Sequence, residues 1–335
     1  MKILQLFIIC LFLFSCKKEN IYYYSNNKQI KDSTVIRFVD EELEKLNIKT
    51  VDKNLKIFTT LDSTSYKSNL DSIRNKIFEK SLHYNLKPED KKAFDEWFRE
   101  KVIVVDNKSG KVLNYYSSFK NKKYDRNLVN LIGLRKLIKV GTWLGEYPEI
   151  QIPKSYMSNY GFHVYREEDY KLQESEQKLL KKLNITDFQS NDYRHNDINF
   201  LEVLTVFQAF NNKNFTQPFI VDKILQKDKI IYSQKNTQLN IFTQKSFDKL
   251  QEYLPTYKKD IYSKYEDTLK ETKNLILFGS ISDTYFIIYD KKFTYLIYNS
   301  TAIVTDLKKR KYKVIDSGYN WKRAVGIKYY NAIRK

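Results

Sequence analysis

Val102-Ile103-Val104-Val105-Asp106-Asn107-Lys108-Ser109-Gly110-Lys111-Val112-Leu113-Asn114-Tyr115-Tyr116 is two strands and a turn written in fifteen residues. A run of β-branched side chains meets Asp106, whose carboxylate suits the N–H groups of a following turn. Gly110 then supplies the positive φ that closes such a turn, and a second apolar stretch returns. Outward from this hairpin, Leu55-Lys56-Ile57-Phe58-Thr59-Thr60 alternates and predicts a strand. Asp62 or Ser63 is placed to cap a helix with Tyr66, Leu70, Ile73 and Ile77 on one face, and Pro88 opens another carrying Phe94, Trp97 and Phe98. Downstream, residues 128–144, 172–183 and 199–211 predict helices. Leu275 to Phe278, Tyr285 to Tyr289 and Phe293 to Tyr298 predict strands, and Trp321 to Ile333 a closing helix. The pattern is α/β in the α+β sense: a mostly antiparallel central sheet built from both chain ends, with helices on its faces.

The chain has 335 residues, with 42% apolar and 15% aromatic, enough for a core and incompatible with a disordered or fibrous chain. Its 59 basic and 40 acidic side chains give a net charge of +19. The lysines are spread among Asn, Ile and Tyr with no recognisable binding module, which argues against a nucleic-acid partner. Cys10 and Cys16 are the only cysteines, so the body has no thiol for a disulfide framework, a metal site or a nucleophile. His83, His163 and His195 are too few and scattered for a zinc site, and no cofactor is expected.

The first residues read as an export signal. Met1-Lys2 precedes an apolar run from Ile3 to Phe14, too short for a membrane span. Leu13-Phe14-Ser15-Cys16 resembles the bacterial lipobox, which makes Cys16 the lipidated first residue of the mature protein; an ordinary signal peptide with an incidental cysteine is the alternative. The expected organisation is a lipoprotein signal peptide at 1–15, a polar tether at 16–50 with an amphipathic piece from Val35 to Leu46, and one domain at 51–335.

Five segments in order carry a family resemblance. Ile57-Phe58-Thr59-Thr60-Leu61-Asp62 resembles the opening segment of the transpeptidase domain of penicillin-binding proteins, class A above all, and Val104 to Leu113 resembles its hairpin. Asn199 to Asn212 and Gln217 to Ile224 are similar to its helix and to the Pro-containing segment that follows. Asp283-Thr284-Tyr285-Phe286-Ile287-Ile288-Tyr289 is similar to the strand after its Lys-Thr-Gly. Only the tether separates Cys16 from the opening segment, so no glycosyltransferase domain is expected.

That resemblance implies an acyl-transfer site whose residues are then missing. The family uses a Ser nucleophile with a Lys one helical turn on, a Ser-x-Asn, and a Lys-Thr-Gly on the edge strand. The helix after the hairpin reads Asn130-Leu131-Ile132-Gly133-Leu134-Arg135-Lys136-Leu137, which puts Leu134 in place of the nucleophile and Leu137 in place of its base. Ser-x-Asn occurs only at Ser25, and Leu277-Phe278-Gly279-Ser280 replaces the edge-strand motif. Ser-x-x-Lys occurs at Ser15, Ser25, Ser117, Ser175 and Ser246, where about three matches are expected by chance. Ser117-Ser118-Phe119-Lys120 lies nearest the right place and is the contender.

These residues predict that Ile132, Leu134 and Leu137 meet Leu275, Leu277 and Phe278, either packed together or lining an apolar groove. Gly141-Thr142-Trp143 with Tyr147-Pro148 could line a groove, with Trp143 reading more simply as core; His195 could be a base held by Asp197, or a loop residue. The last thirty residues carry a local charge of +8, which fits anionic polymers or headgroups as well as a solvated helix face. The leading expectation is a lipid-anchored, catalytically inactive transpeptidase-like protein of a Gram-negative-type cell envelope, periplasmic or surface-exposed, binding peptidoglycan or an envelope protein in the cleft where the active site would be. The alternatives are an active acyl-serine transpeptidase or carboxypeptidase using Ser117 and Lys120, and a purely structural interaction protein with a filled cleft.

Overall fold

A computed structural model describes residues 21–48, 54–62, 66–83, 85–118, 127–153, 170–186, 188–262, 272–279, 283–300, 302–306, 311–315 and 319–334; at 66–69, 255–262, 272–279, 283, 302, 306 and 319–324 the backbone alone is described. Cys16, Lys120 and Ser280 lie outside these residues, as does the expected signal segment. In chain order the strands are β1 (Ile21–Ser25), β2 (Lys28–Gln29), β3 (Leu55–Thr59), β4 (Glu100–Asp106), β5 (Val112–Ser117), β6 (Leu128–Asn130), β7 (Asp197–Asn199), β8 (Asn214–Thr216), β9 (Val221–Gln226), β10 (Lys229–Ser233), β11 (Gln238–Asn240), β12 (Thr272–Gly279), β13 (Asp283–Asp290), β14 (Phe293–Ser300), β15 (Ala302–Asp306) and β16 (Lys311–Val314). The α-helices are α1 (Ser33–Lys45), α2 (Tyr66–Ser81), α3 (Lys91–Trp97), α4 (Arg135–Glu146), α5 (Glu174–Lys182), α6 (Phe200–Asn211), α7 (Gln244–Tyr262) and α8 (Tyr319–Ile333).

The β4–β5 hairpin forms as its turn chemistry dictates. Asp106 Oδ1 accepts from the Ser109 N–H at 2.7 Å and from its hydroxyl at 2.6 Å. Gly110 takes φ +73°, and a Cβ there would stand 2.6 Å from the Gln217 carbonyl oxygen, so the position is closed to other residues on two counts. Asn107 docks the turn onto the far hairpin: its amide donates to the Asp290 carbonyl and its Oδ1 accepts from the Thr294 hydroxyl at 2.6 Å.

The central sheet runs β12-β13-β14-β4-β5, antiparallel throughout, so both chain ends build it as expected. Both faces are covered, which explains the unbroken apolar run of β4. Ile103 and Val105 belong to the core that also holds residues of α4 and α6, while Val102 and Val104 belong to the one holding residues of α2, α3 and α8. Helix α6 is buried at every residue but Glu202, which with Asn199 forms a capping box: the Glu202 N–H donates to Asn199 Oδ1 and the Asn199 N–H to Glu202 Oε2.

A second five-stranded sheet, β10-β9-β3-β1-β2, corrects the expected tether. Residues 21–48 fold onto the domain instead of leading up to it. Strand β1 pairs in parallel with β3, from Ile21 opposite Leu55 to Ser25 opposite Thr59. Helix α1, capped by Asp32 through the Thr34 N–H at 2.9 Å, buries Phe38, Val39 and Leu43. Phe38 stacks on Tyr115 of β5 with 4.2 Å between centroids, so α1 bridges the two sheets. Beneath it the buried Asn127 carbonyl accepts from the Lys101 ammonium at 2.6 Å while its amide donates to Glu41 of α1 at 2.6 Å. Tyrosines and lysines make this stretch look polar, but its lysines stay exposed while Tyr23, Phe38, Val39 and Leu43 are buried and order it.

Candidate functional site

The start of α4 is where the family resemblance places an acylating serine. Residues 131–134 form a 3-10 turn that runs directly into α4, and Asn130 caps it by accepting from the Ile132 N–H at 3.1 Å. The Asn130 amide donates to the Arg194 carbonyl at 2.8 Å and to Asp197 Oδ1 at 3.2 Å, and β6 pairs with β7 beside it. Leu134 and Leu137 are both 0% exposed, in one core with Leu131, Ile138 and Val140. A leucine side chain holds no atom that can be acylated and none that can take a proton. At these two positions the elements of serine acylation are absent.

The 131–134 turn lies against β12. Leu277 is registered with Phe286 and Leu275 with Ile288, rows that belong to the core of α2 and α8. Phe278 is registered with Tyr285, which packs on the opposite core, the one holding Leu134. In the backbone pairing, Leu275 and Leu277 thus share rows with residues of one core and Phe278 with a residue packed on the other. Gly279 pairs with Thr284 at the end of the strand.

Ser117 closes β5, at the other edge of the sheet. Pairing runs from Ser117 to Lys101, Tyr298, Tyr285 and Phe278, so four strand spacings, roughly 19 Å, separate Ser117 from β12. The fold thus does not bring Ser117 to the edge strand or to the start of α4.

Charge at the start of α4 was not legible as part of a site. Arg135 and Lys136 are 4% and 8% exposed. The Arg135 guanidinium lies 5.7 Å from the Tyr170 ring centroid and that of Arg194 4.3 Å from it. Burial, and next the neighbouring Arg135, hold the Lys136 ammonium below its ordinary pKa. Arg194 also grips Asp192 side-on, with Nη2 to Oδ2 at 2.6 Å, and this hydrogen bond pulls the carboxyl down to about 2. His195 is exposed in the same turn, and Asp197 accepts from Asn130 rather than from it. Trp143 packs against the main core. Gly141 and Thr142 do line a cavity of about 560 Å³, shared with Lys178, Lys181, Lys182 and Phe242, toward the other end of α4.

A two-layered helical cover over an antiparallel sheet, with the start of one core helix set against the edge strand, is the fold of penicillin-binding proteins. Among solved structures, penicillin-binding protein 1A from Haemophilus influenzae is similar with a TM-score of 0.56 and 10% identity, over 91% of this chain and 70% of that one. The penicillin-binding protein PonA1 from Mycobacterium tuberculosis is similar with a TM-score of 0.52 and 11% identity, over 90% and 89%. At such identities the likeness is one of fold. No family model matches the chain, and no curated protein matches it by sequence. Among the described residues no helix is long and apolar enough to cross a membrane.

Proposed function

We propose that this chain is a lipid-anchored, non-catalytic member of the bacterial cell envelope that uses a transpeptidase fold for binding, with peptidoglycan or an envelope protein as its partner. The observation that carries the reading is the complete burial of Leu134 and Leu137 where the fold's serine and lysine would stand. Leu13-Phe14-Ser15-Cys16 supports the anchor, with Cys16 as the acylated residue and the body on the periplasmic or outer surface of a Gram-negative-type envelope. Because the leucines fill the start of α4, the same observation favours a partner seated outside the old acylation cleft.

Co-sedimentation with purified peptidoglycan sacculi tests the binding. The expected result is retention in the pellet that excess β-lactam does not release. Protein left in the supernatant would discard the polymer as ligand and leave an envelope protein as the partner.

A further inference from the structure

We infer that the outer face of the N-terminal sheet, together with the β9–β10 tip at its end, rests on the lipid surface to which Cys16 ties the chain. The inference rests on the anchor proposed above. Cys16 precedes Ile21 by five residues, and that length of chain spans at most about 18 Å however it runs. Ile21 is no loose end, because it opens the parallel pairing of β1 with β3. Register carries its row across the sheet: Ile21 is opposite Leu55, Leu55 opposite Gln226, and Gln226 opposite Lys229. The Lys227–Asp228 turn therefore lies at the same end of the sheet as the anchored chain, roughly 14 Å to its side. A body held so close to a bilayer must present this end to it.

The surface there has the chemistry of a membrane interface. Ile230 and Ile231 are 65% and 47% exposed on the edge strand β10, next to the exposed Lys227 and Lys229. On the outward rows Tyr22, Tyr24, Phe58 and Leu225 are only half-buried. Tyr24 stacks on Phe58 with 5.2 Å between centroids, and the Lys223 ammonium lies 4.7 Å from the Phe58 ring centroid. The alternate residues Tyr23, Leu55, Ile57 and Ile224 are buried in the core, so one face of the sheet is spent on folding and the other is left outward. Rings and aliphatic tips that reach the headgroup zone, with ammonium groups beside them for phosphate, are what an interfacial surface requires. The acidic group at the tip, Asp228, is answered by Lys56 at 2.7 Å.

The body has no cysteine after Cys16, so one introduced thiol can be labelled alone. The full-length acylated protein is reconstituted in vesicles of phosphatidylethanolamine and phosphatidylglycerol containing a nitroxide-bearing lipid. Bimane is attached at Ile230→Cys, at Ile231→Cys as a second position, and at Tyr312→Cys, a control that is 61% exposed in the β15–β16 ribbon. Several-fold stronger quenching at 230 and 231 than at 312 is the expected result. Mass spectrometry of Cys16 separates the two claims. Acylated protein with equal quenching at all three positions overturns the surface and leaves the anchor standing; a Cys16 without lipid overturns the anchor, and the surface with it.

Discussion

Glu100 is fully buried at the start of β4, where Arg74 Nη1 donates to its Oε2 at 3.1 Å. Burial outweighs the attraction of Arg74 and pushes the carboxyl up to about 7. Folding therefore favours the protonated form. The stability this provides is complete below the ordinary glutamate range and is lost as pH rises through about 7. Glu100→Gln stays neutral and keeps an oxygen toward Arg74. Its denaturation midpoint should fall less than that of the wild type between about pH 5 and 8, and parallel profiles would contradict the assignment. Leu134 and Leu137 make a second case at this scale. Restoring the polar pair as Leu134→Ser with Leu137→Lys removes buried apolar volume and buries an ammonium, for an expected loss of about 2–5 kcal/mol. Urea denaturation reads it directly, and a double variant as stable as the wild type would mean that water reaches the site.

Two glycines one turn apart on α4 show how an element is held. A Cβ at Gly141 would stand 2.2 Å from the Phe210 ring of α6, whereas at Gly145 the nearest atom, in the Phe242 ring, is 3.8 Å away. Gly141→Ala should thus cost about 1–3 kcal/mol by forcing α4 off α6, while Gly145→Ala should be neutral or gain up to about 1 kcal/mol from helix propensity. Thermal melts that rank the two the other way would show that the α4–α6 contact is misplaced. What the sequence could announce at this scale follows from burial. The strands of the central sheet are apolar on both faces or alternate cleanly, so 100–117 and 283–300 are legible, as are α4 and α6. Strand β1 is not, because Ile21-Tyr22-Tyr23-Tyr24-Ser25 buries only Tyr23 and Ser25 and depends on β3, some thirty residues on, for its partner. Strand β10 leaves no pattern at all, since its residues lie largely exposed on an edge. At the site, the leucines that stand where the resemblance expects a serine and a lysine are legible as residue types. The burial of Arg135 and Lys136 is not, because Tyr170 and the surrounding core that cover them are brought there by tertiary structure.

At the scale of the whole molecule, two sheets divide the work. The central one holds the fold of penicillin-binding proteins, and the N-terminal one places the body a few residues from its proposed anchor. The central claim is that the acylation site has been given over to packing. Incubating the folded protein with a fluorescent penicillin, followed by intact-mass and peptide mass spectrometry, tests it most directly. The account predicts no covalent adduct on any serine. A stoichiometric penicilloyl adduct, on Ser117 or on any other serine of the folded body, would contradict it.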